Sequence, residues 1–472
     1  MVFSSTVFLF LFLPAALFTY YAVNFLAPSL KNLVLVLFSI LFYAWGAPNF
    51  LMIFLINIII DYFLTILMDK AKKRNVKKMF LIAAIAINLG ILIYFKYTNY
   101  FEAEFNWILH VMGIKTIVWT KIILPIGISF FIFHKISYVV DIYREREKPF
   151  YNIIDYALYL MFFPQLIAGP IVRFHEIAYQ IKERLHTSDL FLEGIWRFSI
   201  GLGKKIIIAN TIGAMVDTIF NFPSSDINMP IAWIGMLMYA LQIYFDFSGY
   251  SDMAIGIGKM FGFNLPENFN RPYVSKSITE FWRRWHMSLS RFFKDYLYIP
   301  LGGNRCSKTR NYLNLIIVFT LTGFWHGANT TFLIWGVYYG ILIVIEKAWL
   351  LKKLENFHPI ISNLITFFFV LIGWAIFRSE NMEQAISFIG NAFSFNSKSL
   401  SLLYYAGINN KIIFITIVAI LLSFINFNFI DKISEKLKFA YVTKGSMAII
   451  ILIYSYITLS SGSFNPFIYF RF

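Results

Sequence analysis

The sequence predicts an all-α, polytopic integral membrane protein, and three observations carry the prediction. Of its 472 residues, 59% are hydrophobic and only 14% are charged, where a soluble domain carries about 25% charged residues. Apolar runs of the roughly 17–25 residues that a helix needs to cross a bilayer recur along the chain, and about ten to twelve can be marked out. The basic residues gather in short loops between those runs, as topology signals do. The net charge of +16 therefore points to a lipid bilayer with anionic headgroups and to a phosphate-bearing ligand, not to nucleic acid. A single cysteine, Cys306, excludes an intrachain disulfide. With no long polar linker, one membrane domain is expected over residues 1–472: N-terminal spans over 1–100, a motif-bearing core over about 120–345 and C-terminal spans over 355–472.

Taken in order, the first three apolar runs lie near Thr6–Leu26, Leu33–Gly46 and Phe50–Met68. The first lacks a basic leader, since the first Lys is Lys31, and reads as an uncleaved span. Lys70, Lys72, Lys73, Arg74, Lys77 and Lys78 follow the third run and mark a cytoplasmic loop. Met79–Phe95 is a further span, followed by an aromatic connector from Tyr97 to Trp107. Ile122–Tyr143 contains His134, read as a helix-packing histidine, and Arg144–Lys148 is a second cytoplasmic loop. Pro164, Gly169 and Pro170 interrupt the run Ile153–Val172, so a bent or re-entrant element is expected there. His175 and His186 fall in an amphipathic surface segment and read as solvated.

The stretch Gly201–Lys205, GLGKK, lacks the spacing of a phosphate-binding loop. Its glycines suit close helix packing, and Lys204 and Lys205 suit interfacial anchoring. Beyond Gly340 the runs near Ile360–Phe377, Ile412–Phe427 and Met447–Leu459 read as scaffold, with an amphipathic connector between Arg378 and Asn409.

Polar residues concentrate between Gln242 and Gly340, and polar groups at membrane depth call for a functional account. Asp246 and Asp252 are candidate buried carboxylates that orient Arg or His side chains. Gly256, Gly258 and Gly262 suit helix packing, not dinucleotide binding. Pro266–Tyr273, PENFNRPY, is too rich in Pro and Asn for a helix and is expected as an ordered loop carrying Asn270. Ser277 and Glu280 form a capping box for a helix from about Ile278 to Tyr298. Phe281, Trp285, Leu289, Phe292 and Tyr296 then share its apolar face, with Arg284, Ser288, Arg291 and Asp295 in a polar stripe. Such a helix suits the membrane interface, and His286 stands at the edge of its apolar face.

His326 is placed by a length argument. Tyr312–Ile345 is roughly 50 Å as one helix, against a hydrocarbon core of roughly 30 Å. The passage must break, and Gly323, Gly327 and Asn329 mark the break around His326. An imidazole on an irregular turn at membrane depth suits chemistry met by a water-filled path or substrate tunnel; a structural histidine satisfying freed backbone groups is the alternative. Metal binding needs three or more convergent ligands, and neither H-x-x-x-H nor H-E-x-x-H occurs. No G-x-S-x-G elbow occurs either. What remains is a membrane-embedded His as general base with a partner that tunes or positions it.

Seven ordered motifs resemble the membrane-bound O-acyltransferase family, most of all its bacterial alginate, peptidoglycan and cellulose O-acetylation branch. They are LPIGISFF (Leu124–Phe131), FFPQLIAGPIVRF (Phe162–Phe174), QIYFDFSGYSDMAIG (Gln242–Gly256), FGFNLPENFNRPY (Phe261–Tyr273), SITEFWRRWHMSLS (Ser277–Ser290), DYLYIPLGGNR (Asp295–Arg305) and GFWHGANTTFLIWG (Gly323–Gly336). The resemblance implies a ring of tilted helices with re-entrant and interfacial elements around a central tunnel. It implies acetyl-CoA as a donor substrate with no bound cofactor, a glycan acceptor, and a multi-pass protein of the bacterial inner membrane. His326 resembles the family's invariant histidine and His286 its second polar position. Asn329 and Trp325 beside them, with Asn270, become candidates for orienting substrate. Arg283, Arg284, Arg291 and Arg305 become candidates for the donor's phosphates. A separate extracytoplasmic acetyltransferase or esterase-like partner protein is expected. Relatives that transfer D-alanine to teichoic acid share the FWxRWH segment but lack the IPLGGNR found here at Ile299–Arg305, which favours acetylation of a polysaccharide. A transporter or flippase of glycan precursors is the rival from another class, and its cue, inverted repeats, is missing.

Overall fold

The computed structural model describes residues 1–395, 401–425, 440–461 and 467–468. It is all-helical, with no strand among those residues. Nine helices among them are long and apolar enough to cross a membrane, and Asn410–Phe424 is a shorter apolar helix of 15 residues. The chain is therefore a multi-pass membrane protein. Of the runs expected near the C-terminus, the end of Ile412–Phe427 and part of the Arg378–Asn409 connector lie outside the described residues.

Two compact units divide the chain: Met1–Phe191 with Ile257–Pro266, and Leu192–Gly256 with Glu267–Phe472. In the first, α1 (Leu13–Leu26), α2 (Lys31–Gly46), α3 (Pro48–Lys70) and α4 (Arg74–Val111) follow the expected apolar runs, and the basic cluster lies where α3 hands over to α4. The aromatic connector is a correction: Tyr97–Trp107 continues α4, which is 38 residues long. Neither Gly nor Pro falls between Tyr97 and Trp107, and Asn side chains of this stretch bind the segment that follows. Asn99 pairs with both the N–H and the carbonyl of Ile122 (2.9 and 2.7 Å), and Asn106 does the same with Ile117 (2.9 Å each).

Next come α5 (Ile128–Tyr143), α6 (Ile153–Met161), α7 (Phe163–Leu166) and α8 (Phe174–Lys182). The break between α6 and α8 falls at Pro164, Gly169 and Pro170 as expected. His134 is fully buried, and its Nε2 accepts the Val172 N–H at 3.2 Å, a packing role. His175 and His186 correct the solvated reading. His175 Nδ1 lies 2.7 Å from the buried Asp141 carboxylate, and His186 Nε2 lies 2.9 Å from Tyr20 Oη. Both are drawn in by partners distant in sequence, which periodicity does not encode. Lys135 and Asp61 form a fully buried ion pair (3.1 Å), and Asn88 donates to both carboxylate oxygens of Asp61.

The second unit holds most of α9 (Ser188–Gly203) and α11 (Met229–Met260), with α10 (Asn210–Phe220) between them. Close packing is what the glycines provide. A Cβ on Gly201 would stand 2.6 Å from the Gly249 carbonyl, and one on Gly249 would stand 2.7 Å from the Gly201 carbonyl. Then follow α12 (Ile278–Arg284), α13 (Met287–Phe293), α14 (Lys308–His326), α15 (Thr330–Ile345), α16 (Leu351–Asn356), α17 (Pro359–Arg378) and α18 (Met382–Asn391). An aromatic core of Phe281, Trp282, Trp285, Trp335, Tyr339 and Trp374 joins α12, α15 and α17, every ring at most 6% exposed.

Candidate active site

The helix expected over Ile278–Tyr298 starts where the capping box places it. Ser277 Oγ accepts the Glu280 N–H at 3.0 Å, and the Glu280 carboxylate accepts from Lys276 N at 2.8 Å, one residue before the cap. It does not run through. Trp285 turns extended and His286 takes a left-handed backbone (φ 43°), so the helix divides into α12 and α13. The physical reason is the PENFNRPY loop, which takes over hydrogen bonds a continuous helix would make within itself. Met287 N donates to Asn268 O (2.9 Å), Ser288 N to Asn268 Oδ1 (3.2 Å), and Arg284 O accepts from Asn270 N (2.9 Å).

The break carries His286 from the edge of an apolar face to full burial. Its Nδ1 lies 3.0 Å from Asn268 Oδ1. Its ring meets Phe247 of α11 edge-on at 4.7 Å, and Trp325 at 6.3 Å between centroids. His286 lies outside the nine candidate spans, and burial lowers its pKa to about 3, so the ring is a neutral imidazole.

His326 ends α14, Gly327 is extended (φ −162°, ψ 150°), and Asn329 caps α15. The passage breaks where the length argument expected, but as a reversal and not as a kink within one span. Gly323 faces Gly336 and Ile316 faces Gly340, so α14 and α15 run antiparallel, each helix long enough to cover most of the hydrocarbon core. Gly323 and Gly336 let α14 and α15 press together there: a Cβ on either would overlap the carbonyl of Phe332 or Phe319 on the facing helix. His326 is 5% exposed and packs against Trp325 (4.9 Å), Trp335 (5.2 Å, edge-on) and Phe377 (5.3 Å). Trp325 is thus in ring contact with both histidines, although 40 positions of sequence separate them.

The remaining predicted residues take distinct places. Asn329 Oδ1 accepts the Thr331 N–H (3.1 Å) and its Nδ2 donates to Glu380 O (2.8 Å). Asp252 pairs with Lys204 (2.6 Å) and Arg197 (2.7 Å), and Asp246 pairs with the buried Lys205 (2.6 Å). Lys204 and Lys205 are therefore ion-pair partners of α11, which corrects their reading as interfacial anchors. Asp246 also accepts the Ile468 N–H at 2.8 Å, and Phe467 stacks on Tyr250 at 4.5 Å, so residues near the C-terminus reach the same polar cluster. Arg284 pairs with Glu280 (2.8 Å) and donates to Asn270 O (3.2 Å), while Arg291 donates to Glu267 O (3.2 Å). Arg283, Arg305 and Asn270 are exposed. Asn268, 1% exposed and bonded to His286, was not singled out from sequence. Its only signal was membership of a loop too polar for its surroundings.

A family model described as MBOAT, membrane-bound O-acyltransferase family, matches residues 143–385. The probable alginate O-acetylase AlgI of Pseudomonas aeruginosa is 45% identical over 402 residues, covering 85% of this chain and 76% of that protein. The protein of the same description from Pseudomonas putida is 40% identical over 491 residues and covers 100% of both chains. The peptidoglycan O-acetyltransferase of Helicobacter pylori is 38% identical over 436 residues, 85% of this chain and 81% of that protein. Joined with the helical membrane architecture and the polar break at His326, these matches make the chain a member of the membrane-bound O-acyltransferase family and an acyltransferase.

Proposed function

We propose that the protein takes an acetyl group from cytoplasmic acetyl-CoA and passes it across the bacterial inner membrane for O-acetylation of an extracytoplasmic polysaccharide, alginate-like or peptidoglycan. The observation that carries this reading is the ring contact of Trp325 with both His286 and His326, in a chain whose relatives are described as O-acetylating enzymes. His326 acts as general base. It removes the proton from an acceptor hydroxyl as that oxygen attacks the thioester carbonyl. The carbon–sulfur bond then breaks, and CoA leaves as a thiolate that recovers the proton from the imidazolium. The hydroxyl belongs to the glycan or to a serine of a separate extracytoplasmic partner that acetylates it.

Arg283 and Arg305 are the exposed guanidinium groups among those nominated for the donor's phosphates, and planar guanidinium suits phosphate oxygens. Arg284 is already engaged by Glu280, so it contributes to loop geometry first. The paired Asp246 and Asp252 hold Lys205, Lys204 and Arg197 in place, which supports an orienting role for these carboxylates.

The test is purified protein in lipid nanodiscs supplied with acetyl-labelled acetyl-CoA. His326→Ala is expected to lower label release or transfer by at least a thousandfold while leaving the melting temperature within a few degrees. Turnover within tenfold of wild type removes His326 from the mechanism. Glycan translocation in the absence of CoA turnover would instead indicate a transporter.

A further inference from the structure

We propose that Asn268 is a positioning residue that holds His286 in the Nδ1–H tautomer and so leaves Nε2 as the hydrogen-bond acceptor of that ring, able to orient the hydroxyl whose proton His326 removes. The proposal rests on the reading of His286 as part of the acyl-transfer machinery, and it names both the atom and the group that selects it.

One oxygen decides the matter. Asn268 Oδ1 lies 3.2 Å from Ser288 N, 2.9 Å from Ser288 Oγ and 3.0 Å from His286 Nδ1. A backbone N–H only donates, so the amide atom facing Ser288 N is the oxygen and the Asn cannot be flipped. An amide oxygen carries no proton, so the Nδ1 that approaches it must be the donor. The imidazole is fully buried, and the rings that face it include Phe247 of α11, Phe269 of the loop and Trp325 of α14. Burial alone moves its pKa, with no charged group contributing. A neutral ring has one N–H, which Asn268 claims at Nδ1, so Nε2 keeps its lone pair.

Asn268 gives up something to do this. Its Nδ2 is a buried donor without a hydrogen-bond partner among the described residues, a state that costs free energy. The flipped amide would set two donors against each other at Ser288 N, which is worse. The backbone reinforces the arrangement. Met287 N donates to Asn268 O (2.9 Å), and the left-handed turn at His286 (φ 43°) is held by that clasp. Backbone strain of this kind persists where surrounding structure fixes it. A side-chain acceptor on the distal nitrogen is also how metal and catalytic histidines are held in one tautomer elsewhere.

The experiment uses the full chain, labelled with ¹⁵N-histidine, in nanodiscs. Wild type and His286→Gln spectra assign the His286 ring nitrogens by difference, and Asn268→Ala and Asn268→Asp are compared with them. Wild type is expected to show a protonated Nδ1 and an unprotonated Nε2. Asn268→Ala is expected to lose that single tautomer and at least tenfold in kcat, with KM for acetyl-CoA within twofold. Asn268→Asp keeps the acceptor and is expected to keep the tautomer, with the acid limb of kcat moved upward by a pH unit or more. A wild-type ring protonated at Nε2, or an Asn268→Ala ring still fixed at Nδ1–H, overturns the proposal. If Asn268→Ala does not fold, an Asn268→Asp variant whose tautomer and pH profile match wild type in every respect overturns the coupling. Retained turnover in His286→Gln is a separate result: it removes His286 from catalysis and leaves the tautomer to be judged by its spectrum.

Discussion

His286 occupies a left-handed backbone conformation that β-carbon sterics disfavour, and its imidazole is wholly enclosed. Its protonation therefore opposes folding. The folded-state pKa is lowered to about 3, whereas an unfolded histidine titrates near 6.5. Between those values the unfolded chain binds the extra proton, so the contribution is fully present above about pH 6.5 and is lost as pH falls toward 3. Thermal melts of wild type and His286→Gln from pH 7.5 to 5 are expected to show a steeper acid-side loss in wild type, by up to about 1.4 kcal/mol per pH unit. Parallel curves would show that this ring is solvated. The sequence offered His286 as a candidate through its motif, but not its burial, because an unbroken helix would have kept the ring at the edge of the apolar face. Nor did it separate Asn268 from Asn270. Both lie in one loop, and only the hydrogen bonds tell the oxygen on His286 from the backbone amide on Arg284.

Between elements, two contacts decide how the site is held. The first is the crossing of α14 and α15, where Gly323 and Gly336 leave no room for a Cβ. Gly336→Ala is expected to separate the helices beside His326 and destabilise the protein by about 1–3 kcal/mol, the usual cost of overpacking, with turnover falling alongside. A melting temperature unchanged within a degree would show that the crossing relaxes freely. The second is the buried pair of Lys205 and Asp246. Removing one partner strands the other charge, so Lys205→Ala is expected to cost about 3–5 kcal/mol and Lys205→Ala with Asp246→Ala markedly less. Additive losses in the double-mutant cycle would show that the two groups do not depend on each other. Glycine spacing gave the packing role of Gly201 directly, since small residues are what close helices need. The partner of Lys205 was hidden, because a lysine after an apolar run looks the same whether it meets water or a carboxylate 41 positions away.

For the molecule as a whole, charge sets the orientation. The cluster from Lys70 to Lys78 joins α3 to α4 and is expected on the cytoplasmic side. With Cys306 replaced by Ser, Arg74→Cys in intact cells is expected to resist a membrane-impermeant thiol reagent and to react once the cells are opened. Labelling in intact cells would reverse the topology. By itself the sequence determined the helical membrane class, most span boundaries, the family and the break at His326. Each of these follows from local quantities: apolar run length, Gly and Pro placement, and motif order. Only the tertiary structure decided that the helix after Ser277 divides at His286, that Trp325 touches both histidines, and that Asn268 holds one of them. A hydrogen bond to a distant loop replaces a helical one at little net cost, so local pattern carries no trace of the exchange.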